Sequence, residues 1–152
     1  MKPWRRAKRR VLLPGLLLVL LGLWLTDPDT LKSALRGIAP NTSEAVDPRL
    51  LTVVDGDTVR LAGTSIRLTG FDAPETYRAQ CDAERVRGEA ATARLRELID
   101  RASSAQLAYL SHQDQYGRDL ARLTLDGSNV ADTMVGEGFA RRYGGGQRRP
   151  WC

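Results

Sequence analysis

Short patterns typical of β-strands recur between residues 50 and 125, with turn residues between them. Each pattern is rich in Leu, Val, Ile and Thr, residues that suit a pleated and partly buried surface. The predicted strands are LLTVV at 50–54, TVRLAG and TSIRLTG within 58–70, AQLAYLSH at 105–112 and RDLARLTL at 118–125. Five short strands that follow one another through turns predict a small meandering sheet.

One long helix interrupts this series of strands, over residues 84–100. Its predicted apolar face consists of Ala91, Leu95, Leu98 and Ile99, which recur at helical spacing. A short helix is predicted over 130–137 with Asn129 as its N-cap, and a last short strand over 139–143. The order β-β-β-α-β-β-α predicts an α+β domain: a five-stranded OB-fold-like Greek-key barrel with one long and one short helix.

The positive charge of the chain is concentrated at its N-terminus. Residues 1–10 contain six Lys and Arg and no acid, whereas the rest of the chain has 17 Lys and Arg against 18 Asp and Glu. A 15-residue apolar run follows at 11–25, shorter than the roughly 20 residues of a comfortable membrane span. The combination predicts a signal peptide or an anchor helix at 11–26. Because no A-x-A-like cleavage site follows, an uncleaved anchor is favoured.

Four segments follow from these patterns: a basic tip at 1–10, a signal anchor or signal peptide at 11–26, a proline-containing linker at 27–48 and a folded domain at 49–152. The excess of Lys and Arg before the apolar run places the tip in the cytoplasm and the domain outside it. We therefore expect an inner-membrane anchored protein with its domain in the periplasm or outside the cell, or a secreted protein if the segment is cleaved.

Two cysteines, Cys81 and Cys152, lie in the predicted domain. In an exported domain an even number of cysteines suggests a disulfide, which would close a loop across most of the domain. Two free thiols, or a C-terminal Cys directed to a partner, fit the same sequence. The sequence does not favour a metal site at these cysteines, because two Cys and one His at scattered positions are too few ligands.

Three turns carry the charged residues that indicate chemistry: VDGDT at 54–58, RLTGFDAPE at 67–75 and DQYGR at 114–118. Asp57 and Asp72 are expected to converge at one edge of the barrel. Carboxylate oxygens suit Ca²⁺, with Mg²⁺ as the competing ion.

The other charged residues of these turns fit phosphate chemistry. Glu75 follows Pro74, which stiffens the loop, and a fixed carboxylate beside a cation can deprotonate water. Arg67 and Arg118 carry guanidinium groups that match phosphate oxygens. Each residue alone has an ordinary interpretation, such as a turn aspartate, a surface arginine or an ion pair between Arg118 and Asp114. Their combination in one small domain favours the functional one.

In this order, with a helix between the second and third, the three motifs resemble the staphylococcal nuclease (thermonuclease) family. The resemblance runs from about Leu51 to about Tyr143. It implies an OB-type barrel with helices, and Ca²⁺-dependent hydrolysis of phosphodiester bonds in DNA and RNA. It further implies that Asp57, Asp72 and the backbone carbonyl of Ala73 would bind Ca²⁺, with Asp55 supporting these ligands.

The same resemblance implies roles for five more residues. Glu75 would act as the general base or orient the attacking water, and Arg67 and Arg118 would clamp the scissile phosphate. Tyr116 would lie near a nucleotide phosphate, and Tyr143 is a weaker candidate for nucleotide binding.

Two departures from the family pattern concern affinity and stability. Gln115 stands where a Lys would help to hold a terminal phosphate, and the last long helix of the family has no counterpart here. We expect a disulfide between Cys81 and Cys152 to replace part of what that helix provides. The basic segment around Arg148 is interpreted as a solvated, flexible tail, with a small contribution to substrate binding as the alternative.

Two other functions remain open at this stage: a non-catalytic nucleic-acid-binding module of the same fold, and an extracytoplasmic interaction domain. The expected partners are DNA and RNA as substrates and a membrane through residues 11–26. No protein partner is implied, and we expect a monomer.

Overall fold

The computed structural model describes residues 42–152 of the 152-residue chain. The predicted basic tip, the predicted anchor helix and most of the predicted linker lie outside the described residues. Within the described part, no helix is long and apolar enough to cross a membrane.

The described residues form nine strands, two α-helices and one 3-10 turn, most of them short. In chain order these are β1 (Ser43–Val46), the 3-10 turn (Pro48–Leu50), β2 (Thr52–Asp55), β3 (Thr58–Leu61), β4 (Thr64–Leu68), β5 (Gly70–Asp72), α1 (Asp82–Arg101), β6 (Ala105–Gln113), β7 (Asp119–Leu125), β8 (Ser128–Asn129), α2 (Val130–Gly136) and β9 (Arg141–Tyr143).

The main sheet has the strand order β1-β6-β7-β4-β3-β2, with β8 added to β7. Its pairs are antiparallel except for β4 and β7, which run parallel. The β3–β4 hairpin is closed by Ala62 and Gly63, both with positive φ (48° and 83°), the geometry that a two-residue hairpin turn requires. The result is a mixed α/β domain with an open sheet and two helices, consistent with the predicted OB-like fold.

The five predicted strands and both predicted helices are confirmed, with boundaries shifted by no more than two residues. The structure adds two pairings that the sequence did not reveal. Residues 43–46, expected to be linker, form β1 on the edge of the sheet beside β6. Residues 70–72 form β5, which pairs with β9 in a second, two-stranded sheet. Asp72 is thus the last residue of a strand.

The core lies between the sheet and the two helices. The largest fully buried side chains are Phe71, Ile66, Leu68, Leu95, Leu107, Leu123, Met134, Val59 and Val130. Of the predicted apolar face of α1, Ala91, Leu95 and Ile99 are buried, and Leu98 packs against the core from a half-buried position. Each large apolar side chain buried in this way contributes about 1.5–3 kcal/mol, which makes the core a rigid support for the loops above it.

The last nine residues, 144–152, return across the surface after β9, and we call them the C-terminal strap. Cys152 forms a disulfide with Cys81, the N-cap residue of α1, with 6.1 Å between their Cα atoms. A guanidinium nitrogen of Arg87 donates to the carbonyl oxygen of Trp151 over 3.2 Å. The segment predicted as a flexible tail is therefore fixed at both ends, by the β5–β9 pairing and by the disulfide.

Candidate active site

Two aspartates and one arginine form a buried charged cluster where three strands meet. Asp57 lies in the turn between β2 and β3, Arg67 on β4 and Asp72 at the end of β5. Their exposed fractions are 3%, 6% and 5%. The Arg67 guanidinium forms ion pairs with both aspartates, and its distance to Asp72 Oδ1 is 3.3 Å. Buried charges require such partners, so the cluster specifies how the three strands meet.

Backbone and side-chain donors hold the Asp57 carboxylate in place. Its Oδ2 accepts from the Ala73 N–H over 3.0 Å, and its Oδ1 accepts from the Thr58 hydroxyl over 3.2 Å. The Asp57 N–H donates in turn to Asp55 Oδ1 over 3.1 Å, so the Asp55 carboxylate supports the backbone of the turn. Burial raises the pKa of the Asp57 carboxyl to about 7, against the opposing effect of Arg67.

Glu75 lies at the rim of this cluster, with 34% of its side chain exposed. Its Oε1 accepts from Arg148 of the C-terminal strap over 3.1 Å. Its backbone N–H donates to Glu84 Oε1 over 3.3 Å, and the Gln80 N–H donates to Glu84 Oε2 over 2.7 Å. The carboxylate of Glu84 thus fixes both ends of the loop that carries Glu75.

Glu84 is a residue that the sequence analysis missed. It lies in the first turn of α1 and is only 5% exposed. The signal was present, because residues 84, 88, 91 and 95 follow one helical face, and an acid on an apolar face needs internal hydrogen-bond partners.

Gly88 allows α1 to approach the loop that carries Glu75. A Cβ at this position would lie 2.6 Å from the Glu75 carbonyl oxygen and 2.8 Å from the Pro74 carbonyl oxygen. Both atoms belong to the backbone, so they cannot turn aside as the end of a flexible side chain could. The contact places the Glu75 loop directly on the helix.

Replacing Gly88 with Ala is expected to lower the free energy of unfolding by about 1–3 kcal/mol, because the new methyl group overpacks this contact. Gly136→Ala is the matched control. It lies in α2, its Cβ would meet nothing within 4 Å, and it should leave stability equal or raise it by up to about 1 kcal/mol. Urea unfolding of both variants measures the difference, and equal stabilities would contradict the close approach.

Arg118 and Tyr116 lie in the loop between β6 and β7. Arg118 Nε contacts Asp114 Oδ2 at 2.7 Å, so the ordinary ion pair considered from the sequence is present. The Tyr116 ring is exposed and lies near two guanidinium groups, 5.5 Å from that of Arg118 and 5.9 Å from that of Arg78. Because β7 begins beside Ile66 of β4, Arg118 is brought to the strand that carries Arg67.

A polar cleft of about 320 Å³ opens between the Glu75 loop and the C-terminal strap. Its walls are formed by Asp72, Ala73, Glu75, Arg78, Gln80, Glu84, Arg148, Arg149, Pro150 and Trp151. The indole of Trp151 donates to Asp72 Oδ2 over 3.2 Å. The cleft therefore joins the buried cluster to the surface, and both acids and arginines line it.

Tyr143, the weaker candidate for nucleotide binding, lies on β9 beside this strap. Its hydroxyl donates to the Gly146 carbonyl oxygen over 2.5 Å, and the guanidinium of Arg148 lies 6.0 Å from its ring. These contacts place it at the base of the C-terminal strap.

The predicted metal ligands fit a divalent cation in their chemistry. Asp57 and Asp72 share one guanidinium, and their carboxylates with a nearby backbone carbonyl are the hard oxygen donors that Ca²⁺ and Mg²⁺ take. Within the described residues no three His, Cys, Asp or Glu side chains come together as a metal site.

The structure thus gathers Asp57, Arg67 and Asp72 in direct contact and places Glu75 at their edge through Arg148. Arg118 and Tyr116 stand apart in their own loop, linked to the cleft through Arg78.

Comparison with known proteins gives this arrangement a family. Residues 65–149, more than half of the chain, match the family described as staphylococcal nuclease homologue. The match includes the second and third motifs and begins after Asp57. The chain is similar to the SPbeta prophage-derived endonuclease YokF of Bacillus subtilis, with 35% identity over 104 residues, which is 64% of this chain and 34% of that protein. It is also similar to the endonuclease YncB of Bacillus subtilis, with 32% identity over 107 residues, which is 66% of this chain and 50% of that protein.

The aligned region spans half or less of the length of these two relatives. Within that region the match to the family includes the strand of Arg67, both loops that carry Glu75 and Arg118, and helix α1. The chain therefore belongs to the staphylococcal nuclease homologue family.

Proposed function

We propose that this protein is a Ca²⁺-dependent nuclease that hydrolyses phosphodiester bonds of DNA and RNA. The observation that carries the proposal is the buried cluster of Asp57, Arg67 and Asp72, with Glu75 at its rim in an open polar cleft. A purely structural ion-pair cluster would not require a one-third exposed carboxylate at its rim, on a loop whose backbone N–H groups are held by a second, buried carboxylate. The two relatives are named as endonucleases, which supports the same reaction.

The proposed reaction divides into roles for the residues of this chain. Glu75 accepts a proton from a water molecule as its oxygen attacks phosphorus, the P–O bond to the leaving nucleoside breaks, and the leaving oxygen takes a proton from solvent. Arg67 has five N–H donors, and its pairs with the two aspartates leave donors for a phosphate oxygen. Arg118 supplies a second fork from the neighbouring loop. Both charges stabilise the phosphorane-like transition state.

The carboxylates of Asp57 and Asp72 and the Ala73 carbonyl would hold the cation. When bound, it supplies positive charge against the negative charge that develops on the phosphate. Ca²⁺ is proposed over Mg²⁺ because two carboxylates and backbone oxygen offer a flexible oxygen set, whereas Mg²⁺ demands near-ideal octahedral geometry.

Cleavage by the full chain is expected in Ca²⁺, to be weaker in Mg²⁺ and to be absent in chelator. Single-stranded DNA and RNA, each labelled at one end, would be incubated under the three conditions and resolved on a gel. Restoration of cleavage by Ca²⁺ added back after chelation is the control for irreversible damage. Binding without cleavage in every condition would replace the proposal with the non-catalytic nucleic-acid-binding module.

We further propose that the domain works outside the cytoplasm, tethered to the membrane through residues 11–26 or released by cleavage. Two features support this location: the basic tip before an apolar run, and the Cys81–Cys152 disulfide, since structural disulfides persist mainly in oxidising compartments. Fractionation of expressing cells, with protease added to intact spheroplasts, tests the location. A fragment protected from protease would contradict it.

A further inference from the structure

Arg148 contacts two of the acids to which the proposed reaction assigns roles. Its Nε lies 3.2 Å from Asp72 Oδ1, and one of its terminal nitrogens lies 3.1 Å from Glu75 Oε1. One guanidinium thus bridges the proposed metal ligand and the proposed base. From the sequence this arginine was expected to lie in a flexible tail, with a small contribution to substrate binding as the alternative, and the reaction described above does not use it.

The C-terminal strap holds Arg148 in this position from both sides. On one side, Tyr143 of β9 binds the Gly146 carbonyl. On the other, the Trp151 indole donates to Asp72 and stacks on the guanidinium of Arg141 at 3.6 Å, and Cys152 is bonded to Cys81. The side chain of Arg148 itself remains 35% exposed.

The charges of the cluster indicate when Arg148 would change partners. Three carboxylates, those of Asp57, Asp72 and Glu75, face two guanidinium groups, those of Arg67 and Arg148. A divalent cation on the aspartates adds two positive charges and repels both guanidinium groups. The side chain of Arg67 is only 8% exposed, so its guanidinium cannot move away from the aspartates. Arg148 has a long side chain that lines an open cleft, so its guanidinium can move.

We propose that Arg148 is a substrate-binding residue. Its guanidinium pairs with Asp72 and Glu75 while the cation is absent, and binds a phosphate oxygen of the nucleic acid once the cation occupies the aspartates. This inference rests on the proposed function, because it takes the cation site and the substrate class from it. Arg149 and Arg78, which line the same cleft, extend the positive surface along which the phosphate backbone passes.

The first test compares Arg148→Gln with wild type in binding a single-stranded oligonucleotide whose linkages carry a methylene group in place of the 5′ bridging oxygen. Such linkages keep the negative charge and resist hydrolysis, so binding is measured apart from cleavage. In Ca²⁺ the variant should bind about ten- to a hundred-fold more weakly, the effect of losing a charge-assisted hydrogen bond. Arg148→Lys should recover part of the affinity, because it keeps the charge and loses the fork.

The second measurement is the affinity for Tb³⁺, which would not change if Arg148 had only a structural role. Tb³⁺, a hard cation that substitutes for Ca²⁺, luminesces when an indole close to it is excited, and Trp151 donates to Asp72. Removing the competing guanidinium in Arg148→Gln should tighten Tb³⁺ binding, on the order of five-fold at low salt. Trp151→Phe identifies the signal that comes from this site.

Arg101→Gln is the matched control. Arg101 pairs with Glu97 at the far end of α1, with its side chain 75% exposed, and about 27 Å of helix separates it from the first turn. Both affinities should remain at the wild-type value in this variant.

Removing the disulfide tests whether the C-terminal strap positions Arg148. Cys81→Ser with Cys152→Ser should weaken oligonucleotide binding in wild type but add little in the Arg148→Gln background, since both changes remove the same contact. Fully additive losses of oligonucleotide affinity would show that the C-terminal strap does not position Arg148 for substrate binding.

The outcomes separate this inference from the function on which it rests. Weaker oligonucleotide binding together with tighter Tb³⁺ binding in Arg148→Gln supports it. A wild type that cleaves, with a variant that binds the oligonucleotide equally well, overturns the inference and leaves the nuclease intact. A wild type that neither cleaves nor binds overturns both.

Discussion

Replacing Glu75 with Gln is expected to lower kcat for nucleic-acid hydrolysis about a thousand-fold, within the range of a lost general base. Gln has the same shape, so the backbone hydrogen bond from residue 75 to Glu84 can persist. It cannot take a proton from water at neutral pH, so the loss falls on the chemical step. KM should change far less than kcat, because binding of the phosphate is assigned to the arginines. Steady-state kinetics on a labelled oligonucleotide in Ca²⁺ measures both constants.

Glu97→Gln is the matched control for this substitution. Its carboxylate pairs with Arg94 and Arg101 on the exposed side of α1, and kcat should remain within two-fold of wild type by our estimate for a surface ion pair. The ion pair between Glu75 and Arg148 is one-third exposed, so its loss should affect stability little. A Glu75→Gln variant with full activity would remove Glu75 from the mechanism.

Removing the disulfide by Cys81→Ser with Cys152→Ser is expected to lower the free energy of unfolding by about 4 kcal/mol. The bond joins residues 71 positions apart and so restricts most of the unfolded chain of the domain. In a domain of this size the loss corresponds to a fall in Tm on the order of 15 °C. Calorimetry of the oxidised protein and of the double variant measures it.

The reducing agent itself provides the control for this prediction. The Tm of wild type in excess reductant should fall to that of the double variant, and the double variant should not respond to reductant. Equal Tm values for the oxidised wild type and the double variant would show that the bond contributes nothing to stability.

Most of the secondary structure could be predicted because its signals are local. The alternation of Ile66 and Leu68 with Arg67 indicated a strand, and the spacing of Ala91, Leu95 and Ile99 indicated the face of α1. Strand β1 was missed, because the short, charged sequence SEAV becomes a strand only by pairing with β6, some 60 residues later. Strand β5 was missed as a separate element for the same reason, since its partner β9 follows at the end of the domain.

The candidate site divides in the same way. Asp57, Arg67, Asp72 and Glu75 were found from their motifs, since each motif holds its residues within a few positions of one another. Glu84 was not found, and Arg148 was considered only as part of a basic tail, because what defines both residues is a partner in another segment. Glu84 is recognisable because its carboxylate accepts hydrogen bonds from the backbone N–H groups of the 75–80 loop. Arg148 is recognisable by its ion pairs with Asp72 and Glu75.

The sequence by itself determined the family, the order of the strands and helices, and the residue types to which the proposed reaction assigns roles. These depend on hydrophobic period, turn residues and motif spacing, which are properties of neighbours along the chain. Only the tertiary structure decided that Arg67 is a buried bridge between two aspartates, and that the C-terminal strap closes over them instead of trailing in solvent. Ion pairs and a disulfide between distant segments depend on how the whole chain packs. No local sequence pattern encodes which distant residues come into contact.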